Sequence, residues 1–143
     1  MIKIAIGSDH AGFDLKQELI TYLKGKGIEV IDHGCYTAER VDYPDFGHAV
    51  AKAVLNNEVT FGMLMCGSGN GINMTANKHA GIRSALCWTA EISALARQHN
   101  DANVLVLPAR YITLEEAKKA VDAFLTNKFE GGRHTDRVKK IDS

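Results

Sequence analysis

The segment FGMLMCGSGNGINMTANK, residues 61–78, predicts a strand, a glycine-rich turn and a helix in direct succession. The strand is an apolar run that ends at Cys66, and the turn carries three alternating glycines, Gly67, Gly69 and Gly71. A buried strand that leads through a tight turn into a helix is typical of α/β folds with parallel sheets. The thiol at this junction raises the question of which chemistry the turn supports.

The same alternation of strand and helix continues on both sides of this segment. Strands are predicted at IKIAI, IEVID, FGMLMC, SALCW and NVLVL, and helical segments lie between them. Parallel neighbours need helical crossovers, so the pattern predicts an α/β protein: a three-layer α/β/α Rossmann-like domain with a five-stranded parallel sheet. We expect one domain, residues 1–143, in which residues 129–143 form a C-terminal tail outside the sheet.

The composition argues against several classes of protein. Seventeen Lys and Arg side chains balance seventeen Asp and Glu side chains, so no overall field attracts nucleic acid or an anionic membrane surface. No apolar stretch approaches membrane-spanning length, and the first apolar run is too short for a secretion signal. The three cysteines lack the spacing of a disulfide framework. We therefore expect a cytoplasmic protein that binds any anionic ligand through a local cluster of charge.

The glycine turn matches none of four familiar templates. Counted from Gly67, the third glycine comes one position too early for the dinucleotide-binding pattern G-x-G-x-x-G. A Walker loop needs Gly-Lys-Ser/Thr, and a phosphatase loop of the C-x5-R type needs an arginine where Ile72 stands. A redox site needs a second cysteine, and none lies within twenty residues of Cys66.

The remaining interpretation of the turn is physical. Alternating glycines let successive backbone N–H groups point into one concavity, and the following helix adds its positive end, which suits a phosphate or a developing oxyanion. Cys66 at the edge of this concavity is a candidate thiolate. The structural alternative is a tight strand-to-helix turn in which Cys66 is one more small buried residue.

Ligands of open parallel sheets bind where loops leave the carboxyl ends of the strands. We expect three polar loops there: GSDHAG, CGSGNG and RQHNDAN. The structural alternatives are a helix cap at Asp9 and a polar helix end for RQHNDAN. Arg133 and Arg137 could be solvated surface charges, but their spacing of four residues puts them on one face of a helical turn, where they could bind a single phosphate.

The six histidines make a metal site one candidate. No pair of them has H-x3-H spacing or another recognised ligand pattern. We therefore expect no metal.

Taken together, six segments resemble the ribose-5-phosphate isomerase type B family, which also includes allose-6-phosphate isomerases and the subunits of galactose-6-phosphate isomerase. The segments are IAIGSDHAGFDLK, DYPDF, CGSGNGINMTANK, GIRSALC, ARQHNDANVLVLPAR and FEGGRHTDRV. They span nearly the whole chain in the order of the family, and EGGRH and RQHND favour the ribose 5-phosphate branch.

The resemblance implies an aldose–ketose isomerase of the pentose phosphate pathway that moves a proton between C1 and C2 through a cis-enediolate, without a cofactor. It implies that the Cys66 thiolate is the base and that His99 opens the furanose ring. Other members use a glutamate at or near the position of Thr75, and this chain has no acid there. Implied substrate-binding residues are Asp9, His10, Gly67, Ser68, Gly69, Asn70, Gly71, Asn100, Arg110, Arg133 and Arg137.

The resemblance further implies a homodimer, which can pair into a tetramer, with each active site at a subunit interface. Several alternatives stay open at this point. One is an isomerase for a 6-phosphorylated hexose such as allose or galactose 6-phosphate, and another is a non-catalytic sugar-phosphate-binding module. The assignment of ring opening among Asp9, His10 and His99 also depends on distances that the sequence does not contain.

Overall fold

The computed structural model describes residues 1–143 and contains one sheet of five strands. The strands are β1 (Lys3–Ser8), β2 (Glu29–Asp32), β3 (Phe61–Cys66), β4 (Ser84–Leu86) and β5 (Val104–Pro108). Their order in the sheet is β2-β1-β3-β5-β4, and every neighbouring pair is parallel. The predicted fold class and all five predicted strands are confirmed.

Six α-helices connect and follow the strands. They are α1 (Phe13–Gly25), α2 (Tyr43–Leu55), α3 (Asn70–Asn77), α4 (Ala90–Asn100), α5 (Leu114–Thr126) and α6 (Arg133–Lys139), and a 3₁₀ turn (Lys140–Asp142) ends the chain. The start of α5 is capped, because the Glu116 N–H donates to the Thr113 hydroxyl at 3.1 Å. No helix has the length and apolar character that crossing a membrane requires.

The helices cover both faces of the sheet, and side chains alternate between the two faces along each strand. Ile4, Ile6, Met63 and Met65 pack with α1, α4 and α5 on one face. Ala5, Leu64 and Cys66 pack with α2 and α3 on the other. The Cys66 side chain therefore belongs to the α2/α3 layer.

The chain reverses its direction of travel across the sheet between β1 and β3. The connection from β1 leads to β2 on one side, whereas the connection from β3 leads to β4 and β5 on the other. Such a reversal opens a crevice at the carboxyl ends of the two strands, where open α/β sheets bind their ligands. The register pairs Ser8 with Met65, so the next residues, Asp9 and Cys66, are neighbours at this crevice.

One expectation about the loops is corrected. The segment RQHNDAN (97–103) ends α4 and enters β5, so it lies at the amino edge of the sheet, opposite the crevice. Most of this segment has a structural role. Asp101 accepts from the Arg97 guanidinium at 2.9 Å, and the Asn103 side-chain oxygen accepts from the Arg83 N–H at 2.8 Å.

Candidate active site

Asp9 and Cys66 form the floor of the crevice. Both side chains are nearly buried, with 7% and 5% of their surface exposed. One Asp9 carboxylate oxygen accepts from the Gly12 N–H at 3.1 Å, which stabilises the turn into α1. The other carboxylate oxygen has no hydrogen-bond partner in the chain, so Asp9 fulfils its structural role and keeps an acceptor for a ligand.

The turn after Cys66 presents free backbone donors. The N–H groups of Gly67, Ser68 and Gly69 donate to no acceptor within the chain, whereas the Asn70 N–H donates to the Ser68 hydroxyl at 3.2 Å. Gly69 has a φ of +81°, which aims the chain into α3. Three successive unpaired donors beside a thiol form the anion-binding concavity that the glycine spacing suggested.

Two side chains wall this turn. Arg110 is held by its backbone, which donates to the Gly67 carbonyl at 2.9 Å, and a methyl group at Gly67 would lie 3.1 Å from the Arg110 Nη1. A methyl group at Gly71 would overlap the ring of Tyr43, so the ring lies directly on the glycine. The turn is thus narrow because Gly67 and Gly71 have no side chains, and a guanidinium supplies positive charge at its rim.

His10 has a defined orientation. The Val41 N–H donates to the His10 Nδ1 at 3.3 Å. Because Nδ1 is an acceptor, a neutral His10 carries its proton on Nε2 and can donate it to a ligand. The loop after β2 therefore fixes a hydrogen-bond donor next to the crevice.

The remaining predicted residues lie elsewhere. His99 and Asn100 end α4, and Arg133 and Arg137 belong to α6, which contacts α4. The intervening strand β5 runs from Val104 to Pro108, four residue steps of about 3.3 Å each, so the two groups of residues are separated by roughly 13 Å of sheet. One copy of the chain therefore does not assemble all predicted residues around a single ligand.

His99 and His134 stack on each other, with ring centroids 4.3 Å apart and planes 14° from parallel. The Glu130 carboxylate lies 3.9 Å from the His99 Nε2 and 3.8 Å from the His134 Nε2. Burial, with further contributions from His99 and Arg133, lowers the pKa of His134 below its usual value. His134 is therefore neutral at physiological pH.

The three arginines predicted to bind substrate have no acidic partner. Arg110, Arg133 and Arg137 are exposed, and none of them forms a salt bridge within the chain. In a chain whose formal net charge is zero, these guanidinium groups are available to an external anion.

Sequence reasoning did not single out Tyr43, Glu130 or His134 as parts of the site. For Tyr43 the sequence contained a signal, because the proline that follows it marks the start of a helix. A helix that follows the second strand begins at the carboxyl edge of the sheet, so the first residue of this helix lies at that edge. Glu130 and His134 lacked such a signal, because their neighbour His99 is supplied by a distant segment.

The sequence is similar to a known family of isomerases over almost its whole length. The sequence profile described as Ribose/Galactose Isomerase matches residues 4–141. Ribose-5-phosphate isomerase B of Escherichia coli strain K12 is 50% identical over 141 residues, which cover 99% of this chain and 95% of that protein.

Two solved structures are similar over almost their whole length. A ribose 5-phosphate isomerase from Thermotoga maritima has a TM-score of 0.98 and 54% identity, and the match covers 99% of this chain and 97% of that chain. Ribose-5-phosphate isomerase B from Mycoplasma genitalium, solved with bound ribulose-5-phosphate, has a TM-score of 0.92 and 46% identity, with coverage of 97% and 93%.

Proposed function

This chain belongs to the ribose/galactose isomerase family, and we propose that it interconverts D-ribose 5-phosphate and D-ribulose 5-phosphate. The observation that carries the proposal is the pairing of Cys66 with three unpartnered N–H groups in the crevice beside Asp9. A base next to an oxyanion site is what the transfer of a proton between adjacent carbons requires. The relatives named above act on, or bind, these pentose phosphates.

Proton transfer is assigned to Cys66. Its thiolate takes the proton from C2 of the open-chain aldose, and the electron pair left behind forms the cis-enediolate. The resulting thiol then returns the proton to C1, and the hydroxyl proton on O2 passes to O1, which yields the ketose. The N–H groups of Gly67, Ser68 and Gly69 stabilise the negative charge on the sugar oxygen, and such a donor contributes about 10²- to 10³-fold in rate. Gly71 and Asn70 complete the turn that holds these donors.

The phosphate and hydroxyl groups of the sugar are held by the surrounding polar side chains. The Nε2 of His10 and the guanidinium of Arg110 are donors at the crevice, and Arg133 and Arg137 on the 129–143 tail supply further charge. Asp9 accepts from a sugar hydroxyl through its free carboxylate oxygen, and Asn100 binds a second hydroxyl. Holding the phosphate away from the reacting carbons orients C1 and C2 toward Cys66.

His99 opens the furanose ring in this proposal. Ring opening needs a group that exchanges a proton with the ring oxygen, and the imidazole of His99, 36% exposed, offers ring nitrogens that can donate or accept one. His10 has committed its Nδ1 to the Val41 N–H, and Asp9 has committed one carboxylate oxygen to Gly12. His99 is therefore the better candidate of the three.

The active form is a homodimer in which each site combines two chains. The separation of His99, Asn100, Arg133 and Arg137 from Cys66 by the length of β5 supports this. Further support comes from a depression of about 400 Å³ next to the glycine turn, which is flanked by the exposed aromatic residues Trp88 and Tyr111. Exposed aromatic surface beside a site marks an interaction surface, and we assign it to the second copy.

The cytoplasm is the proposed location, because three unpaired cysteines suit a reducing compartment.

The test of the function is incubation with ribose 5-phosphate in deuterated buffer that contains a chelator, followed by NMR of the sugar. We expect ribulose 5-phosphate with deuterium at the transferred position. Conversion without deuterium would contradict exchange of the proton with solvent, and no conversion would reject this substrate in favour of a hexose 6-phosphate or a binding module.

A further inference from the structure

The side chains of His99, Glu130 and His134 lie together at the amino edge of the sheet. Their ligand atoms all lie within 4.8 Å of one another. The Glu130 Oε1 stands 3.9 Å from one imidazole Nε2 and 3.8 Å from the other. No other acidic or basic side chain of the chain forms a salt bridge with these three. The mechanism above uses His99 alone and leaves Glu130 and His134 without a task.

The local backbone brings the three groups together. The Glu130 N–H donates to the Gln98 carbonyl at 3.0 Å, which ties the tail to the last turn of α4 next to His99. Gly131 and Gly132 then adopt positive φ values of +67° and +56°, and this bend returns the chain so that His134 faces Glu130 again. Ligands from two separate segments are thus held by backbone geometry rather than by a contiguous sequence pattern.

We propose that His99, Glu130 and His134 form a binding site for a divalent transition-metal ion of the Zn²⁺ class. Two imidazoles and one carboxylate are ligands that Zn²⁺ and its neighbours in the first transition row accept. Bond lengths of about 2.0–2.2 Å put tetrahedral ligand atoms roughly 3.3–3.5 Å apart. Each imidazole therefore needs to approach the carboxylate by about half an ångström, and ligand atoms as far apart as 4.8 Å need to approach each other by up to about 1.4 Å, which a rotation of the stacked rings would supply. Three protein ligands leave the fourth position for water.

The surroundings of the cluster limit which ions bind. Arg133 and Arg137 lie on the same short helix as His134, and their charge opposes a cation. A hard ion such as Mg²⁺ prefers oxygen ligands and keeps its water, so it gains too little here to overcome that repulsion. Nitrogen-seeking ions form stronger bonds to the two imidazoles.

Occupancy of this site inhibits the isomerase, and this part of the inference rests on the proposed function. A metal on the His99 Nε2 uses the lone pair that ring opening requires. The ion would therefore block turnover of the cyclic substrate, and a chelator would restore it.

The test measures Co²⁺ binding to the reduced protein by its visible absorption spectrum, which does not depend on activity. We expect one bound ion per chain with nitrogen and oxygen ligands and no sulfur-to-cobalt charge-transfer band. Glu130→Gln and His134→Asn should each weaken binding by more than about tenfold. Glu130 is exposed, so its variant tests the site even if His134→Asn unfolds. The matched control is His48→Asn, which alters the other histidine pair of the chain. In that pair the His48 Nδ1 lies 2.7 Å from the His79 Nε2. We expect the control to leave the affinity for Co²⁺ within about twofold.

Two outcomes would overturn the site: affinity unchanged in both Glu130→Gln and His134→Asn, or a charge-transfer band that assigns the ion to a cysteine. Inhibition is then measured with Zn²⁺ and ribose 5-phosphate. We expect loss of turnover in the wild type, recovery with a chelator, and weaker inhibition of Glu130→Gln. Binding of Co²⁺ without inhibition by Zn²⁺ would refute the inhibitory role alone. If the protein fails to isomerise any sugar phosphate, the cobalt spectrum still decides whether the site exists.

Discussion

Asp9 lies beside Cys66 at the crevice between β1 and β3, because the sheet register pairs Ser8 with Met65. The Asp9 N–H also donates to the Met65 carbonyl at 3.3 Å. Backbone pairing, rather than a flexible side chain, thus sets the distance between the carboxylate that we propose accepts from a sugar hydroxyl and the thiol that we propose acts on the reacting carbons. Binding and proton transfer should therefore respond separately to substitution.

Cys66→Ala is the first such substitution. It removes the base but keeps the N–H groups of Gly67, Ser68 and Gly69, so we expect turnover to fall by about 10²- to 10⁴-fold. Binding of a non-reacting phosphate analogue, measured by calorimetry, should change only a few-fold. Turnover at the wild-type level would assign the base to another residue.

The matched control is Cys87→Ala. Cys87 is fully buried on the opposite face of the sheet, and burial raises its pKa to about 12, so it forms no thiolate at neutral pH. We expect the control to keep its activity at a small cost in stability. Alkylation followed by mass spectrometry should label Cys66 in the native protein and leave Cys87 unmodified.

His99→Ala tests ring opening. We expect a loss of about 10²- to 10⁴-fold with ribose 5-phosphate, which is mainly cyclic in solution. A 4-deoxy analogue has no hydroxyl with which to close the furanose ring, and its conversion should fall much less. Steady-state rates on both substrates give the comparison, with His48→Ala as the control. An equal loss on both would contradict the assignment.

Gly69→Ala tests whether the shape of the turn matters beyond its backbone angle. Gly69 (φ +81°) and Gly27 (φ +78°) have nearly the same conformation, so alanine costs each about 1–2 kcal/mol in backbone strain. An added methyl group meets nothing at Gly27 but overlaps the Leu86 side chain at Gly69. Gly69→Ala should therefore lose activity and further stability, whereas Gly27→Ala should lose only stability. Equal activity in Gly69→Ala and Gly27→Ala would show that the turn still functions when the added methyl group displaces it from Leu86.

The pair Lys16–Asp32 predicts unequal stability effects. The Lys16 ammonium is fully buried and lies 2.7 Å from both Asp32 carboxylate oxygens, while the Asp32 side chain is 29% exposed. Asp32→Ala leaves a buried charge without its partner and should cost about 3–5 kcal/mol. Lys16→Met leaves a carboxylate that water can reach, so its cost should be smaller. Urea unfolding of both variants measures the difference, and the reverse order would contradict this account.

The elements that local sequence patterns specify were predictable. Apolar runs of strand length predicted each strand, and the turn residues after Cys66 predicted a concavity of free donors. The alternation of strands and helices fixed the fold class, because only a parallel sheet accommodates it. The order of the strands in the sheet was not predicted, since it depends on how the crossovers pack.

What sequence patterns did not predict are relations between distant segments. RQHNDAN was expected at the carboxyl edge, but a crossover helix that begins at that edge must end at the other one, and His99 lies there. The histidine spacing likewise did not group His99 with Glu130 and His134, because these residues meet only after the glycine bend. Both relations exist across the fold and not along the chain.

Mixing two inactive variants tests the shared site most directly. In a dimer whose sites each combine Cys66 of one chain with His99 of the other, the Cys66→Ala and His99→Ala homodimers have two defective sites. A mixed dimer has one site with both defects and one intact site. Random exchange makes half of the dimers mixed, so we expect about a quarter of the wild-type activity to return.

The control is a mixture in which the second protein carries both substitutions, Cys66→Ala and His99→Ala, in one chain. Exchange with Cys66→Ala then yields no intact site in any dimer, and activity should stay at the level of the separate variants. Subunit exchange is followed by native mass spectrometry of isotopically labelled chains, which shows that mixed dimers have formed. Mixed dimers without recovered activity would mean that Cys66 and His99 act within one chain, and the roughly 13 Å of β5 between them would then have to be bridged by a rearrangement of the monomer.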